Sequence, residues 1–142
     1  TCALPIFSRS FIFGEPTKRE RDVWAQVRQG QQVAIEAAQL GRSCGSVDDA
    51  VRNWYEKIGY GPGYRLPGLS HRTGHGIGMD GHEPVNLAHG EMTPLAEGMC
   101  FSNEPGIYIP GKTGVRIEDM VLVGAEGVAR NFCSIPKELT FV

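Results

Sequence analysis

The chain has 142 residues, a formal net charge of −2, 41% hydrophobic and 21% charged residues. That size suits one domain able to bury roughly 68–70% of the surface its unfolded chain exposes, and the charge balance gives no case for nucleic acid or an anionic membrane as partner. No apolar run approaches the roughly 20 residues that span a bilayer, and no basic-then-apolar leader opens the chain.

The first element expected is a strand over Phe7-Ser8-Arg9-Ser10-Phe11-Ile12-Phe13, which alternates and stops at Gly14. An apolar strand there needs a partner. Glu15-Pro16-Thr17 breaks it, and Thr17 with Glu20 forms a capping-box pattern. Val23, Trp24, Val27, Ala34, Ala37 and Ala38 then mark one face of a long helix from Lys18 to about Leu40. Gly30 lies inside that helix, and Gly41 suits its C′ position. Ser46 with Asp49 signals a second helix, continued by Val47, Ala50, Val51, Trp54, Tyr55 and Ile58 and stopped by Gly59. Both helices are amphipathic and should pack on one face of a sheet, with their tryptophans in the core.

Nineteen glycines gather after residue 59, so the second half should be turn-rich and β. Tyr60 to Ser70 is a Gly/Pro-rich connection. His71-Arg72-Thr73-Gly74-His75-Gly76-Ile77-Gly78-Met79-Asp80-Gly81-His82-Glu83-Pro84 follows, with glycines that rule out a stable helix. Read as extended, it points residues 71, 73, 75 and 77 to one face, so His71 and His75 project together while the glycines admit a ligand to the backbone. Asn86 to Gly98 reads as a loop. Met99 to Glu104 reads as a strand ended by Pro105-Gly106, which places Glu104 where a side chain can enter a cleft. Val115 to Val123 is the clearest strand, with Val115, Ile117, Val121 and Val123 on one face and Arg116 and Glu118 on the other. Alone, that Arg–Glu pair would be an exposed ion pair worth at most about 1 kcal/mol. The four cysteines, Cys2, Cys44, Cys100 and Cys133, form no CxxC pair and are expected to be reduced thiols of a cytoplasmic protein.

A histidine between glycines, with two strand-borne glutamates, is a plausible hard-metal set for zinc, manganese, iron or cobalt. Gly74-His75-Gly76-Ile77-Gly78 with His82-Glu83-Pro84, Asn103-Glu104-Pro105-Gly106 and Gly114-Val115-Arg116-Ile117-Glu118-Asp119 resembles the motifs of the pita-bread metallopeptidases. The likeness extends from about Ser8 onward. It implies an α+β pita-bread (creatinase/aminopeptidase-like) fold, with helices packed on a curved, mainly antiparallel sheet. Residues 1–142 would supply the second pseudo-symmetric half plus the end of the first, the C-terminal portion of the catalytic domain.

The resemblance also implies a centre of two divalent metal ions (Mn, Co or Zn) held by two aspartates, one histidine and two glutamates. The histidine falls on His75 and the glutamates on Glu104 and Glu118, with Glu118 bridging the ions. His71, Tyr108 and Arg116 resemble the proline-peptidase branch, the Xaa-Pro dipeptidases and aminopeptidases P. Carried over, His71, His82, Arg116 and Tyr108 would surround an Xaa-Pro dipeptide or short peptide. Glu104 would shuttle a proton, with His82 and His71 around the tetrahedral intermediate. The two aspartates have no counterpart: alignment on Arg9 puts the second at Ile6 and the first before Thr1. The expectation is therefore a fragment that binds metal weakly and cleaves Xaa-Pro poorly alone, and that forms a homodimer or associates with a missing N-terminal half. The alternatives are a non-catalytic pita-bread peptide- or protein-binding module, or a metal-free hydrolase resembling creatinase.

Overall fold

The computed structural model describes residues 7–132, 134 and 136–142. Cys2, Ile6 and Cys133 lie outside the described residues. Two helices cover a mostly antiparallel β layer, which makes the fold α+β as expected. The first helix, α1 (Lys18–Ala37), starts with the full capping box: Thr17 Oγ1 accepts from the Glu20 amide, and Glu20 in turn accepts from the Thr17 amide. It ends at Ala37, short of Leu40. Beyond it the chain leaves the helix to pair with a distant segment: Ala129 N–H donates to the Ala38 carbonyl and Gln39 bridges Val128.

The second helix, α2 (Cys44–Lys57), is N-capped by Ser43 rather than starting at Ser46. The expected box does not form. Ser46 Oγ donates back to the Ser43 carbonyl at 2.6 Å, and Asp49 accepts from His89 instead. Gly30 is explained by the contact between the helices. A Cβ there would meet the Tyr55 hydroxyl at 2.5 Å, so glycine lets the buried Tyr55 ring lie against α1.

The strands are β1 (Phe11–Ile12), β2 (Gly74–Gly76), β3 (Glu83–Leu87), β4 (Cys100–Asn103), β5 (Gly106–Ile109), β6 (Thr113–Arg116), β7 (Asp119–Val123), β8 (Ala129–Asn131) and β9 (Thr140–Phe141). A five-stranded antiparallel sheet runs in the order β3-β2-β4-β7-β8, beside a β5-β6 hairpin and a parallel β1-β9 pair. The expected first strand is thus confined to β1, its partner is β9, and Ser8 makes only an isolated bridge to Glu118. The segment read as a loop from Asn86 begins inside a strand, β3. Val23, Trp24, Val27 and Ala34 from α1 and Val47, Val51 and Tyr55 from α2 join Phe101, Ile107, Ile117 and Val121 in one core. Trp54 is partly buried against the same core.

The expected continuous strand from Val115 to Val123 is two strands, β6 and β7, and Met99 to Glu104 likewise yields to β5 beyond Pro105. The register does not slip across the break. Asn103 pairs with Asp119 and Gly106 with Arg116, so Glu104 stands opposite Glu118 and Pro105 opposite Ile117. Pro105 has no N–H to donate, which interrupts the ladder there. Because the register is kept, the alternation survives: Val115, Ile117, Val121 and Val123 are all buried.

Candidate metal centre

The site is built in that interruption. Glu104 and Glu118 face each other across the broken hairpin, a like-charge arrangement that destabilises an antiparallel pair when nothing lies between. Their backbone N–H groups bond outward, Glu104 to the Thr73 carbonyl at 2.9 Å and Glu118 to the Ser8 carbonyl at 3.1 Å. The first bond ties β4 to the histidine segment, and β2 brings His75 to the same point. Ligand atoms of His75, Glu104 and Glu118 all lie within 4.8 Å of one another, with the His75 and Glu118 side chains buried and that of Glu104 mostly so.

The proton on His75 follows from its partner. Nδ1 lies 2.9 Å from the Gly76 carbonyl, which only accepts, so in the neutral ring Nδ1 carries the hydrogen and Nε2 presents a lone pair. That lone pair faces Glu104 Oε1 at 3.4 Å. Two acceptors aimed at each other beside a third carboxylate fit a cation, and the nitrogen-and-oxygen donor set suits a divalent transition metal. The residues present therefore fit the metal that the resemblance implies. Ser102 Oγ supports the set, accepting from the His75 amide at 2.9 Å and donating to Glu104 Oε1 at 3.2 Å. Ser8 Oγ donates to Glu118 Oε2 at 2.6 Å.

His71, Arg72, His82, Glu104 and Arg116 line an open cleft of about 450 Å³ over these side chains. The His82 ring stacks on His75 with centroids 4.1 Å apart. His71 lies outside β2, and its Nδ1 meets the Arg72 carbonyl at 2.7 Å, so its Nε2 accepts from the Tyr108 hydroxyl at 2.8 Å. Burial pushes the Tyr108 phenol above its ordinary pKa despite the nearby Arg116 guanidinium, which keeps it a donor. Arg116 sits 3.9 Å from Glu104 and 4.0 Å from Glu118. The structure thus brings His71, His75, His82, Glu104, Tyr108, Arg116 and Glu118 together.

Two details differ from the sequence reading. The flanking glycines admit protein rather than ligand, because a Cβ on Gly74 would strike the Ser102 carbonyl and one on Gly76 the Glu83 and Pro84 carbonyls. Thr73 also does not face the cleft with the histidines, since its amide and hydroxyl both donate to Asp48. Sequence reasoning missed Ser8, Arg72 and Ser102 at the site. Only Ser102 carried a signal, two residues from Glu104 on one strand and so on the same face.

The family model for metallopeptidase family M24 matches residues 7–125, and the chain belongs to that family. It is 44% identical over 132 residues to an Xaa-Pro dipeptidase of Lactobacillus delbrueckii subsp. lactis, covering 93% of this chain and 34% of that one. A dipeptidase structure from Pyrococcus horikoshii superposes with a TM-score of 0.85 at 36% identity, covering 96% of this chain and 36% of the other. An X-Pro aminopeptidase structure from Thermotoga maritima gives 0.86 at 31% identity, covering 96% and 37%. The fold is the pita-bread fold of these enzymes, and the chain spans about a third of the length of the curated relatives it matches.

Proposed function

We propose that residues 1–142 form the C-terminal part of a metallopeptidase catalytic domain that cleaves the bond between a first residue and a following proline. The meeting of His75, Glu104 and Glu118 within 4.8 Å carries this reading. His75 Nε2, Glu104 and Glu118 would hold divalent metal, with any further carboxylate ligands drawn from other polypeptide. Manganese, cobalt and zinc all suit such donors. Divalent metal, when bound, acidifies water toward a pKa of about 7 and neutralises charge developing on the scissile carbonyl.

This chain's residues supply the rest. Glu104 accepts the proton of the attacking water and passes it to the leaving amine. His82 donates to the oxyanion, a contribution on the order of 2.7–4 kcal/mol where such donors have been removed. His71, oriented by Tyr108, and Arg116 position the Xaa-Pro substrate. The exposed Phe11, Phe13 and Phe141 around β1 and β9 favour association with further catalytic-domain polypeptide or a second copy. The compartment assigned to such an enzyme is the cytoplasm, where Cys44 and Cys100, free thiols among the described residues, would stay reduced.

The test uses the protein that carries this chain. It should retain manganese or cobalt and cleave Ala-Pro in preference to Ala-Ala, with both properties lost in His75→Ala and Glu118→Gln. Metal retention that ignores both substitutions would refute the reading, and metal binding without any peptide cleavage would favour a binding module.

A further inference from the structure

Gln31 is a polar side chain in the apolar face of α1, fully buried and far in sequence from every residue of the metal centre. Its Nε2 lies 3.1 Å from the Asn103 carbonyl, 3.2 Å from the Ile117 carbonyl and 3.0 Å from Asp119 Oδ2. Asn103 directly precedes Glu104, and Ile117 and Asp119 flank Glu118. One amide group therefore clasps the backbone on both sides of the broken hairpin, each time next to a glutamate. Asn103 returns the contact, donating from Nδ2 to the Gln31 carbonyl at 3.0 Å.

The clasp completes an accounting of the interrupted ladder. Glu104 and Glu118 form a non-hydrogen-bonded pair, so their N–H groups point outward, to Thr73 and Ser8. Pro105 offers no N–H to the Ile117 carbonyl opposite it, and Gln31 supplies that donor while adding a bond to the Asn103 carbonyl. Asp119, fully buried, is held on its other oxygen by Arg9 at 2.6 Å. Every contact Gln31 makes through Nε2 is to an acceptor, which fixes the amide orientation. Its Oε1 is then buried without a partner among the described residues, as is Asn103 Oδ1. Leaving such oxygens unpaired is unfavourable.

We propose that Gln31 is a positioning residue for the metal centre: its amide holds the two interrupted strands at the separation that lets Glu104 and Glu118 share a cation with His75. The inference rests on the metal reading above. It predicts that geometry at the centre, and not only the stability of the fold, depends on a residue that touches no ligand and no substrate.

The test compares Gln31→Met, which keeps the length and removes the donors, with Val27→Ala, a fully buried α1 residue that makes no bond to either strand. Cobalt(II) is titrated into the metal-stripped protein that carries this chain, followed by calorimetry and by visible absorption under conditions where urea curves show each variant folded. Q31M should weaken cobalt binding about 10–100-fold, as loss of an outer-shell partner does, and alter the intensities of the cobalt bands. V27A should lower the urea midpoint yet bind cobalt as the wild type does. Should Q31M not fold, Gln31→Asn retains the amide one methylene short and should weaken binding in the same direction. Wild-type affinity and spectrum in the folded variant would overturn the positioning role while His75-dependent binding left the metal reading standing. Absence of His75-dependent cobalt binding in the wild type would overturn both.

Discussion

Asp48 is the residue whose loss should be felt most by the fold. It is fully buried on α2 and accepts five hydrogen bonds: from Arg52 Nε and Nη2 at 2.7 and 3.2 Å, from the Thr73 amide and hydroxyl at 3.0 and 2.7 Å, and from the His89 amide at 2.9 Å. Arg52, itself buried, donates onward to the carbonyls of Gly63, Leu69 and His71 at 2.7, 3.0 and 2.6 Å. Asp48→Asn would leave a buried guanidinium without its counter-charge and turn one acceptor into a donor facing donors. Breaking a buried pair from one side costs about 3–5 kcal/mol. With roughly 3 °C of melting temperature per kcal/mol at this size, the fall should be about 10–15 °C. At an m-value of about 2 kcal/mol/M, the urea midpoint should drop by about 2 M. The double variant Asp48→Asn/Arg52→Met should lose less than the two single losses summed, by about 2 kcal/mol, because it buries no unpaired charge. A single-variant cost below about 1 kcal/mol, or additive losses, would refute the view that this pair clamps the segment from Gly63 to Thr73.

Two further outcomes follow from local geometry. Burial, assisted by the Glu91 carboxylate, raises the Cys44 thiol from 9.0 to about 11. The folded protein thus favours the neutral thiol, whose stabilising effect is complete below pH 9 and lost as pH climbs through about 11. Wild-type urea midpoints should therefore fall more steeply over that window than those of Cys44→Ala, and parallel profiles would count against it. Gly74→Ala should drive a methyl into the Ser102 carbonyl, costing at least the roughly 1–3 kcal/mol of an overpacked core and displacing His75. Unchanged stability together with wild-type metal affinity would show that β2 and β4 can separate at no cost.

Much of the site was legible because its residues sit beside strong punctuation. Gly-His-Gly, Glu-Pro-Gly and the alternating run to Val123 mark His75, Glu104 and Glu118 with local features, and period-2 alternation placed Ile117 and Val121 inward correctly. The break before Glu118 was not read because its cause lies on the facing strand: Pro105 offers no N–H to the Ile117 carbonyl, and only the register between the two segments sets them opposite. β3 was only half seen, because Glu83 and Pro84 lay in the segment read as extended while Asn86 and Leu87 fell in the stretch read as a loop, although Glu83 and Leu87 both pair with β2. The start of α2 was misplaced since Ser43 and Ser46 are equally good caps on sequence, and only the fold fixes which serine turns the chain. The i, i+4 spacing of Asp48 and Arg52 was visible, but spacing alone reads as a solvated surface pair, and burial makes it a clamp.

The division of labour between the helices explains why so many polar groups lie inside this core. α2 governs the histidine side through Asp48 and Arg52, which hold the backbone of Thr73 and His71. α1 governs the glutamate side through Gln31, which holds the backbone beside Glu104 and Glu118. Between them stand two carboxylates in register, an arrangement a sheet ordinarily avoids. Apolar packing could not hold it, since hydrophobic contacts are not directional, whereas hydrogen bonds to specific carbonyls fix a separation to a few tenths of an ångström. A cation between Glu104, Glu118 and His75 would relieve the repulsion that these bonds oppose. Metal binding and folding should therefore be linked through the same residues, the ion adding RT ln(1 + [L]/Kd) to stability, and a variant that loosens either helix's grip should weaken both together.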